Sequence, residues 1–201
     1  MNDDEEESSH ATAELIAEKI RYNYDHISPW VRSWCKRDYS KQDAIEFLRQ
    51  NRQEMESNNS NNSNTGCGTY FIFWNKTEFA GTVGITMKHS YDGGDDEGVP
   101  PEVGFWIDKD HVKKGIATLA TQALIEEYCT EMKKKKEKMV VNSAGITSDT
   151  TTTTTTKLRL LAKETNVPSQ RVATKLGFQF VGTTIDEGNT CHVYEKRILE
   201  F

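Results

Sequence analysis

The sequence is poor in cysteine and has no long hydrophobic run. Its four cysteines are scattered, with no C-x-x-C pair and no histidine nearby at ligand spacing, which argues against a zinc site and against a disulfide scaffold. No apolar stretch approaches the roughly 18 residues of a transmembrane helix, and the acidic N-terminus lacks the apolar core of a signal peptide. We therefore expect a cytoplasmic protein with no metal site and no membrane partner.

Positive charge is also in short supply. The chain has 25 Lys and Arg residues against 31 Asp and Glu, which gives a net charge of −6. Because non-specific nucleic-acid binding depends on neutralising phosphates, we expect no nucleic-acid partner. The lysine run at residues 133–136 is an exception. It is either a solvated helix end that complements the helix dipole or a patch that contacts a partner or a nucleic acid.

Apolar residues make up 35% of the chain, and the shortage is concentrated in three segments. Residues 1–10 are acidic or polar, residues 57–68 are rich in Asn and Ser, and residues 142–156 end in a threonine run. None of these segments can bury enough apolar surface to offset its loss of conformational entropy. We interpret the first as a disordered acidic tail and the other two as low-complexity insertions in a single domain, residues 11–201.

The remaining pattern predicts an α/β fold. Apolar residues recur at helical spacing in some segments, and other segments are rich in β-forming residues and separated by polar turns. Ser40-x-x-Asp43 resembles a capping box that opens a helix. Hairpins at both ends with βα units between them indicate a mixed sheet with helices on both faces. The predicted elements are helix 11–27, a helix that starts near Ser40, strands 69–74, 79–88 and 102–107, helix 115–131, strand 157–163, helix 166–176, and strands 178–185 and 190–199.

A polar junction between strand 102–107 and the next helix has the chemistry of an anion site. Free backbone N–H groups and the positive end of a helix dipole suit a phosphate or pyrophosphate. Small residues keep the junction open, and two lysines add positive charge. Taken alone, the same pattern also fits an ordinary helix start. The candidate residues are Lys113, Lys114, Gly115, Ile116, Ala117 and Thr118.

The next βα unit carries Asn166, Ser169 and a helix end that reads Lys-Leu-Gly-Phe at residues 175–178. With it, the chain resembles the GNAT superfamily of N-acetyltransferases. In that family the loop pattern Gln/Arg-x-x-Gly-x-Gly/Ala binds the CoA pyrophosphate, and the closing helix commonly ends in the same tetrapeptide. The order of elements matches over nearly the whole chain outside the three polar segments. The resemblance implies the GNAT fold with splayed central strands, and acetyl-CoA as co-substrate.

Finer features are similar to the branch that acetylates ribosomal proteins at an N-terminal Ser or Ala. They are Pro29-Trp30 after the first helix, Ser40 and Asp43 at the second, the Glu-x-Gly-aromatic-Trp strand from Glu102, and Asn166-x-x-Ser169. This resemblance implies transfer of an acetyl group to a protein N-terminal amine. A small amine of the polyamine or aminoglycoside type is an alternative acceptor. A CoA-binding regulatory protein without turnover is a further alternative.

Two positions depart from the family pattern. The Gln/Arg ahead of the loop glycine is replaced by Val112, although Lys113 and Lys114 compensate in charge. Many GNAT enzymes carry a tyrosine shortly before the closing glycine, as the acid that protonates the thiolate, and this chain has Ala173 there. The N-terminal acetyltransferase branch often lacks that tyrosine too. The acid is therefore left unassigned, and Tyr194 on the last strand is either a reserve acid or a core residue.

The resemblance also implies residue roles. In this family the thioester carbonyl and the pantetheine are held by main-chain groups where the central strands splay, which implies the backbone of Phe105, Trp106 and Ile107. Glu102 is the candidate base. It lies at the start of that strand, and the two-residue period of a strand places Gly104 and Trp106 on the same face. The alternative is that Glu102 is a solvated carboxylate at a strand end.

Two residues of the short helix have two interpretations each. Ser169 either donates to the sulfur or is simply a residue favoured in the first turn of a helix. Asn166 is either a CoA contact or a helix cap. The sequence predicts no oligomeric state.

Overall fold

The computed structural model describes residues 3–31, 34–60, 67–87, 99–142 and 156–199. Its helices and strands follow one another in the predicted order. They are α1 (Asp3–Ile27), α2 (Lys41–Ser60), β1 (Gly68–Trp74), β2 (Glu78–Thr86), β3 (Glu102–Ile107), a short 3-10 helix (Lys109–His111), α3 (Ile116–Asn142), β4 (Thr156–Lys163), α4 (Val167–Lys175), β5 (Gln179–Asp186) and β6 (Asn189–Leu199).

One six-stranded sheet, in the order β1-β2-β3-β4-β6-β5, forms the centre of the fold. β3 and β4 run parallel, and the other neighbouring strands are antiparallel. The predicted mixed sheet is therefore confirmed. Within the described residues, β3 and β4 are in register at a single pair, Glu102 with Arg159, and they part beyond it. The central strands are thus splayed, as the family resemblance implies.

Helices cover both faces of this sheet. On one face α3 and α4 pack against strand residues such as Val103 and Leu158, in the larger core cluster. On the other face α1 and α2 bury Ile20 and its neighbours against Phe79 and Trp106. These clusters hold the strands in one register, because a slip of one residue would exchange the two faces.

The start of α2 is fixed by the predicted capping box. The Ser40 N–H donates to Oδ2 of Asp43 at 2.8 Å, and the Asp43 N–H donates to Oγ of Ser40 at 3.2 Å. The Ser40 hydroxyl, followed by the Lys36 ammonium, lowers the pKa of Asp43 to about 2. Asp therefore fills the place that Glu or Gln takes in the usual motif.

Two helices are longer than predicted. Residues 1–10 predict a disordered tail, whereas α1 begins at Asp3. α3 runs to Asn142, past its predicted end at Glu131. An ion pair one turn apart supports this extension, because Lys134 Nζ lies 2.6 Å from Oε1 of Glu131.

The first predicted insertion, residues 57–68, has structured ends. α2 continues to Ser60, and Cys67 is buried in the core. The Asn51 side chain connects α2 to the strand that follows this segment. It donates to the carbonyl of Thr69 at 2.9 Å and accepts from the Thr69 N–H at 2.7 Å, which ties α2 to β1. Residues 61–66 and 143–155, the remainder of the two predicted insertions, lie outside the described residues.

Candidate active site

A cavity of about 1200 Å³ opens where β3 and β4 part. Its lining comes from the junction before α3, the first turns of α3 and α4, the central strands, and the connection between α1 and α2. Every predicted site residue except Lys114 takes part. These residues are Glu102, Phe105, Trp106, Ile107, Lys113, Gly115, Ile116, Ala117, Thr118, Asn166 and Ser169.

The N-terminus of α3 presents backbone donors to this cavity. The first intrahelical bond runs from the Leu119 N–H to the Gly115 carbonyl at 3.1 Å, so the amides of residues 116–118 have no partner within the helix. Gly115 has a φ of 79°, and no atom lies within 4 Å of the place where its Cβ would be. The junction therefore offers both donors and space to a phosphate group.

The position of the family's Gln/Arg is apolar and packed. Val112 contacts the small cluster around Ile107 and Ile116, so it supplies a wall of the site and no hydrogen bond. Lys113 lines the cavity. Lys114 does not, because its Nζ lies over the Trp74 ring, 5.5 Å from the ring centre. Lys113 is therefore the lysine placed to compensate in charge.

The first turn of α4 forms the opposite wall. Asn166 is the N-cap, since its Oδ1 accepts from the Ser169 N–H at 3.3 Å. The cap interpretation of Asn166 is therefore confirmed. Both residues also line the cavity, together with Arg171 and Lys175 further along α4. A separation of four residues puts these two cations on one helix face, so this wall of the cavity carries two positive charges.

Glu102 forms an ion pair that the sequence does not predict. Nη2 of Arg159 donates to Oε2 of Glu102 at 3.3 Å, and the two side chains are 20% and 14% exposed. Leu158 and Leu160 pack in the core under α3, so Arg159 between them faces α1 and α2. Glu102 is thus not a solvated strand-end carboxylate.

A buried polar cluster ties α1 to the loop that follows β3. Asp108 is fully buried; its Oδ2 accepts from Lys19 Nζ at 3.1 Å and its Oδ1 accepts from the Asp110 N–H at 3.0 Å. Asn23, also fully buried, accepts from the Lys109 N–H at 2.8 Å. Burial alone would raise the pKa of Asp108, but the Asp110 N–H and the Lys19 ammonium outweigh it and hold that pKa below its usual range. The cluster positions the loop that leads to α3.

Two tyrosines differ in their relation to the cavity. Tyr194, the reserve acid, is buried in the same core cluster as Ala173 and is absent from the cavity lining among the described residues. The core interpretation of Tyr194 is therefore confirmed. Tyr39, between α1 and α2, does line the cavity, and burial raises its pKa to about 12. Its phenol keeps its proton at neutral pH.

The sequence also makes predictions about disulfides, metal ligands and membrane spans. All four cysteines are free thiols. In the part of the chain that the structure describes, no three His, Cys, Asp or Glu side chains converge as metal ligands. No helix in that same part is long and apolar enough to cross a membrane.

The sequence profile of the acetyltransferase (GNAT) domain matches residues 12–179. The chain belongs to the GNAT family of acetyltransferases. It is therefore an acyltransferase, as the sequence predicts. The comparison with curated proteins finds no match.

Solved structures share this fold at low sequence identity. The ribosomal L7/L12 α-N-protein acetyltransferase RimL, in complex with coenzyme A, has a TM-score of 0.65 and 15% identity over 94% of this chain and 90% of its own. The ribosomal-protein-S5-alanine acetyltransferase from Vibrio fischeri has a TM-score of 0.63 and 16% identity over 94% and 89%. The microcin C7 self-immunity acetyltransferase MccE, in complex with acetyl-CoA and AMP, has a TM-score of 0.62 and 21% identity over 94% and 88%.

The predicted resemblance is therefore confirmed at the level of the family, and the neighbours include the ribosomal-protein branch. Two site features of this GNAT enzyme are not predicted from its sequence. The sequence does contain a hint that Arg159 has an ion-pair partner. It is a charged residue between Leu158 and Leu160 in a central strand, and charged residues are rarely buried without a partner. For Lys19 and Asp108 no local pattern exists, because they meet through the packing of α1 on the sheet.

Proposed function

We propose that this enzyme moves the acetyl group of acetyl-CoA directly to a primary amine, and that the acceptor is a protein N-terminal amine. One observation carries the proposal: a single cavity joins the anion-suited N-terminus of α3 to the Glu102 carboxylate through the gap between β3 and β4. The names of two structural neighbours support the choice of acceptor. The free cysteines favour a reducing compartment, which we take to be the cytoplasm.

Binding follows from charge and from backbone donors. Acetyl-CoA supplies the acetyl group as an activated thioester. Lys113 and the N–H groups of residues 116–118 bind its pyrophosphate, and Arg171 and Lys175 attract the same polyanion into the cavity. The backbone of residues 105–107 follows the point where β3 and β4 part, so its main-chain groups hold the pantetheine and the thioester.

Transfer needs one proton acceptor and one proton donor. The amine nitrogen forms a bond to the acetyl carbon, and the bond between that carbon and sulfur breaks. Glu102 takes the proton from the amine, directly or through a water molecule. One modest base is sufficient, because the pKa of an α-amine is roughly 7.7–8.0. Ser169 donates a hydrogen bond to the departing thiolate, which takes its proton from water, while Asn166 orders the turn that presents Ser169.

Two measurements test the proposal in sequence. Acetyl-CoA should first raise the Tm of the protein. The protein is then incubated with acetyl-CoA and an array of peptides that differ at the N-terminus, beside a panel of small amines, and products are identified by mass. We expect acetylation at peptide α-amines. Acetylation of small amines alone would show that the acceptor is a small amine of the polyamine type. CoA binding without any product would indicate a regulatory protein. Val112 and Ala173, the two departures from the family pattern, would then account for the lack of turnover.

A further inference from the structure

Gly104, in the middle of β3, is a glycine that the fold does not require. Nothing lies within 4 Å of the place where its Cβ would be, and its φ is outside the left-handed range. Among the described glycines no other combines these two properties. Gly84, its partner on β2, would bring a Cβ to 2.9 Å from the Gly68 carbonyl oxygen. A glycine inside a strand loses packing and conformational entropy, and it often marks a place where another molecule approaches the backbone.

The surroundings of Gly104 form a trough in the floor of the cavity. Gly104 and Gly84 are directly opposite each other in the β2–β3 register, so neither strand projects a side chain into the cavity at this point. Along β3 the same face carries Glu102 on one side and Trp106 on the other, with about 13 Å between their Cα atoms at the usual rise of a strand. On β2 the flanking residues are Thr82 and Thr86. All six residues line the cavity.

The trough opens toward α1 and α2. Trp106 packs in the cluster formed by those helices, whereas Val103, on the opposite face of β3, packs in the core under α3. The open space above Gly104 therefore faces away from the α3 junction, to which the proposed function assigns the pyrophosphate. It lies instead on the face of the Glu102 carboxylate, where the amine must arrive.

We infer that residue 104 limits the size of the group that the acceptor carries next to its amine. This inference rests on the proposed function. The carbon that bears the amine and its substituent lie over the Gly104–Gly84 trough, and the missing side chains give them clearance. A larger residue at position 104 fills space that the protein itself does not occupy, so it competes with the acceptor and leaves the fold unchanged.

The test compares wild type with Gly104→Ala and Gly104→Val on short peptides that differ only in the first residue, from Gly through Ala and Ser to Val. At saturating acetyl-CoA, we expect kcat/KM to fall least for the Gly peptide and by at least about tenfold for the largest first residue that the wild type accepts, since one methylene in a fitted pocket is worth about 10–200-fold. The Tm and the acetyl-CoA affinity should stay at wild-type values. Gly84→Ala is the control, because its backbone clash should lower the Tm.

Three results would overturn the inference. Wild-type kinetics on every peptide would mean that the acceptor does not use the trough. An equal loss on every peptide, or a loss of acetyl-CoA affinity, would assign the space above Gly104 to CoA. A fall in Tm comparable to that of Gly84→Ala would make Gly104 structural. If the wild type binds acetyl-CoA but acetylates no amine, the proposed function itself fails, and the inference falls with it.

Discussion

The Arg159 guanidinium lies 3.3 Å from the Glu102 carboxylate, at the residue pair where the described parts of β3 and β4 are in register. A backbone hydrogen bond joins the two strands at the same place, since the Arg159 N–H donates to the Pro101 carbonyl, just before β3, at 2.8 Å. The two halves of the sheet are therefore joined at the point where the cavity begins. The same contact holds Glu102 at the entrance to the gap in which we propose that transfer takes place.

Replacement of Glu102 by Gln tests its role as the base. The amide keeps the shape and the hydrogen bonding of the carboxylate but cannot take a proton. We expect kcat/KM to fall by about 10²–10⁴-fold at neutral pH. The loss should shrink as pH rises, because more of the acceptor amine is already neutral. The measurement is kcat/KM as a function of pH, with acetyl-CoA affinity as the control. A defect independent of pH, together with weaker CoA binding, would make Glu102 a structural residue.

Substitution of Arg159 tests whether it positions Glu102. Arg159→Met removes the guanidinium from a carboxylate that is 14% exposed, which should lower the free energy of unfolding by roughly 1–3 kcal/mol. Arg159→Lys keeps the charge but loses the planar fork, so it should recover part of the stability and part of the activity.

A double-mutant cycle of Arg159→Met and Glu102→Gln separates positioning from general damage. Residues that interact directly show a coupling energy of about 0.5–3 kcal/mol. We expect such coupling both in the unfolding free energy and in ln(kcat/KM). Strict additivity in kcat/KM would show that Arg159 does not act through Glu102.

Local features of this enzyme are predictable wherever neighbours in sequence determine them. The Ser40–Asp43 capping box forms within one turn of helix, and so does the Asn166 cap of α4. The hairpin of β1 and β2 follows from two β-rich segments and the polar turn at 75–77 between them. The segments that the family pattern predicts to bind CoA also line one cavity.

Features that depend on long-range packing are not predictable in this way. The partner of Glu102 is set by the parallel pairing of β3 with β4, and the whole of α3 lies between them in sequence. The attachment of α2 to β1 depends on the hydrogen bonds of Asn51 with Thr69. No sequence period encodes contacts of this kind.

Gly115→Glu tests the assignment of the pyrophosphate to the α3 junction. The new carboxylate enters open space beside the first-turn amides and repels the phosphates, so acetyl-CoA should no longer raise the Tm. Gly177→Glu is a matched control, because Gly177 has the same φ of 79° and lies outside the cavity lining of the described residues. Both variants carry the same backbone strain. Equal stabilisation of both variants by acetyl-CoA would refute the assignment.

Lys19→Met tests the buried cluster that positions the loop before α3. The substitution leaves the Asp108 carboxylate, fully buried in the wild type, without its ammonium partner. Breaking a buried pair in this way costs about 3 kcal/mol, and the shifted loop should also weaken acetyl-CoA binding. Asn23, which holds the Lys109 N–H, should keep the loop from unfolding altogether.

The pH dependence of this defect follows from the depressed pKa of Asp108. In the wild type, the stability from ionised Asp108 is present above the unfolded pKa of about 3.9 and is lost as pH falls through the lower folded value. Without Lys19, burial favours the protonated form, so the variant loses most at neutral pH. The difference in Tm between wild type and Lys19→Met should therefore be large at pH 7 and shrink below about pH 4. A difference that stays constant across that range would show that Lys19 acts through packing rather than through its charge.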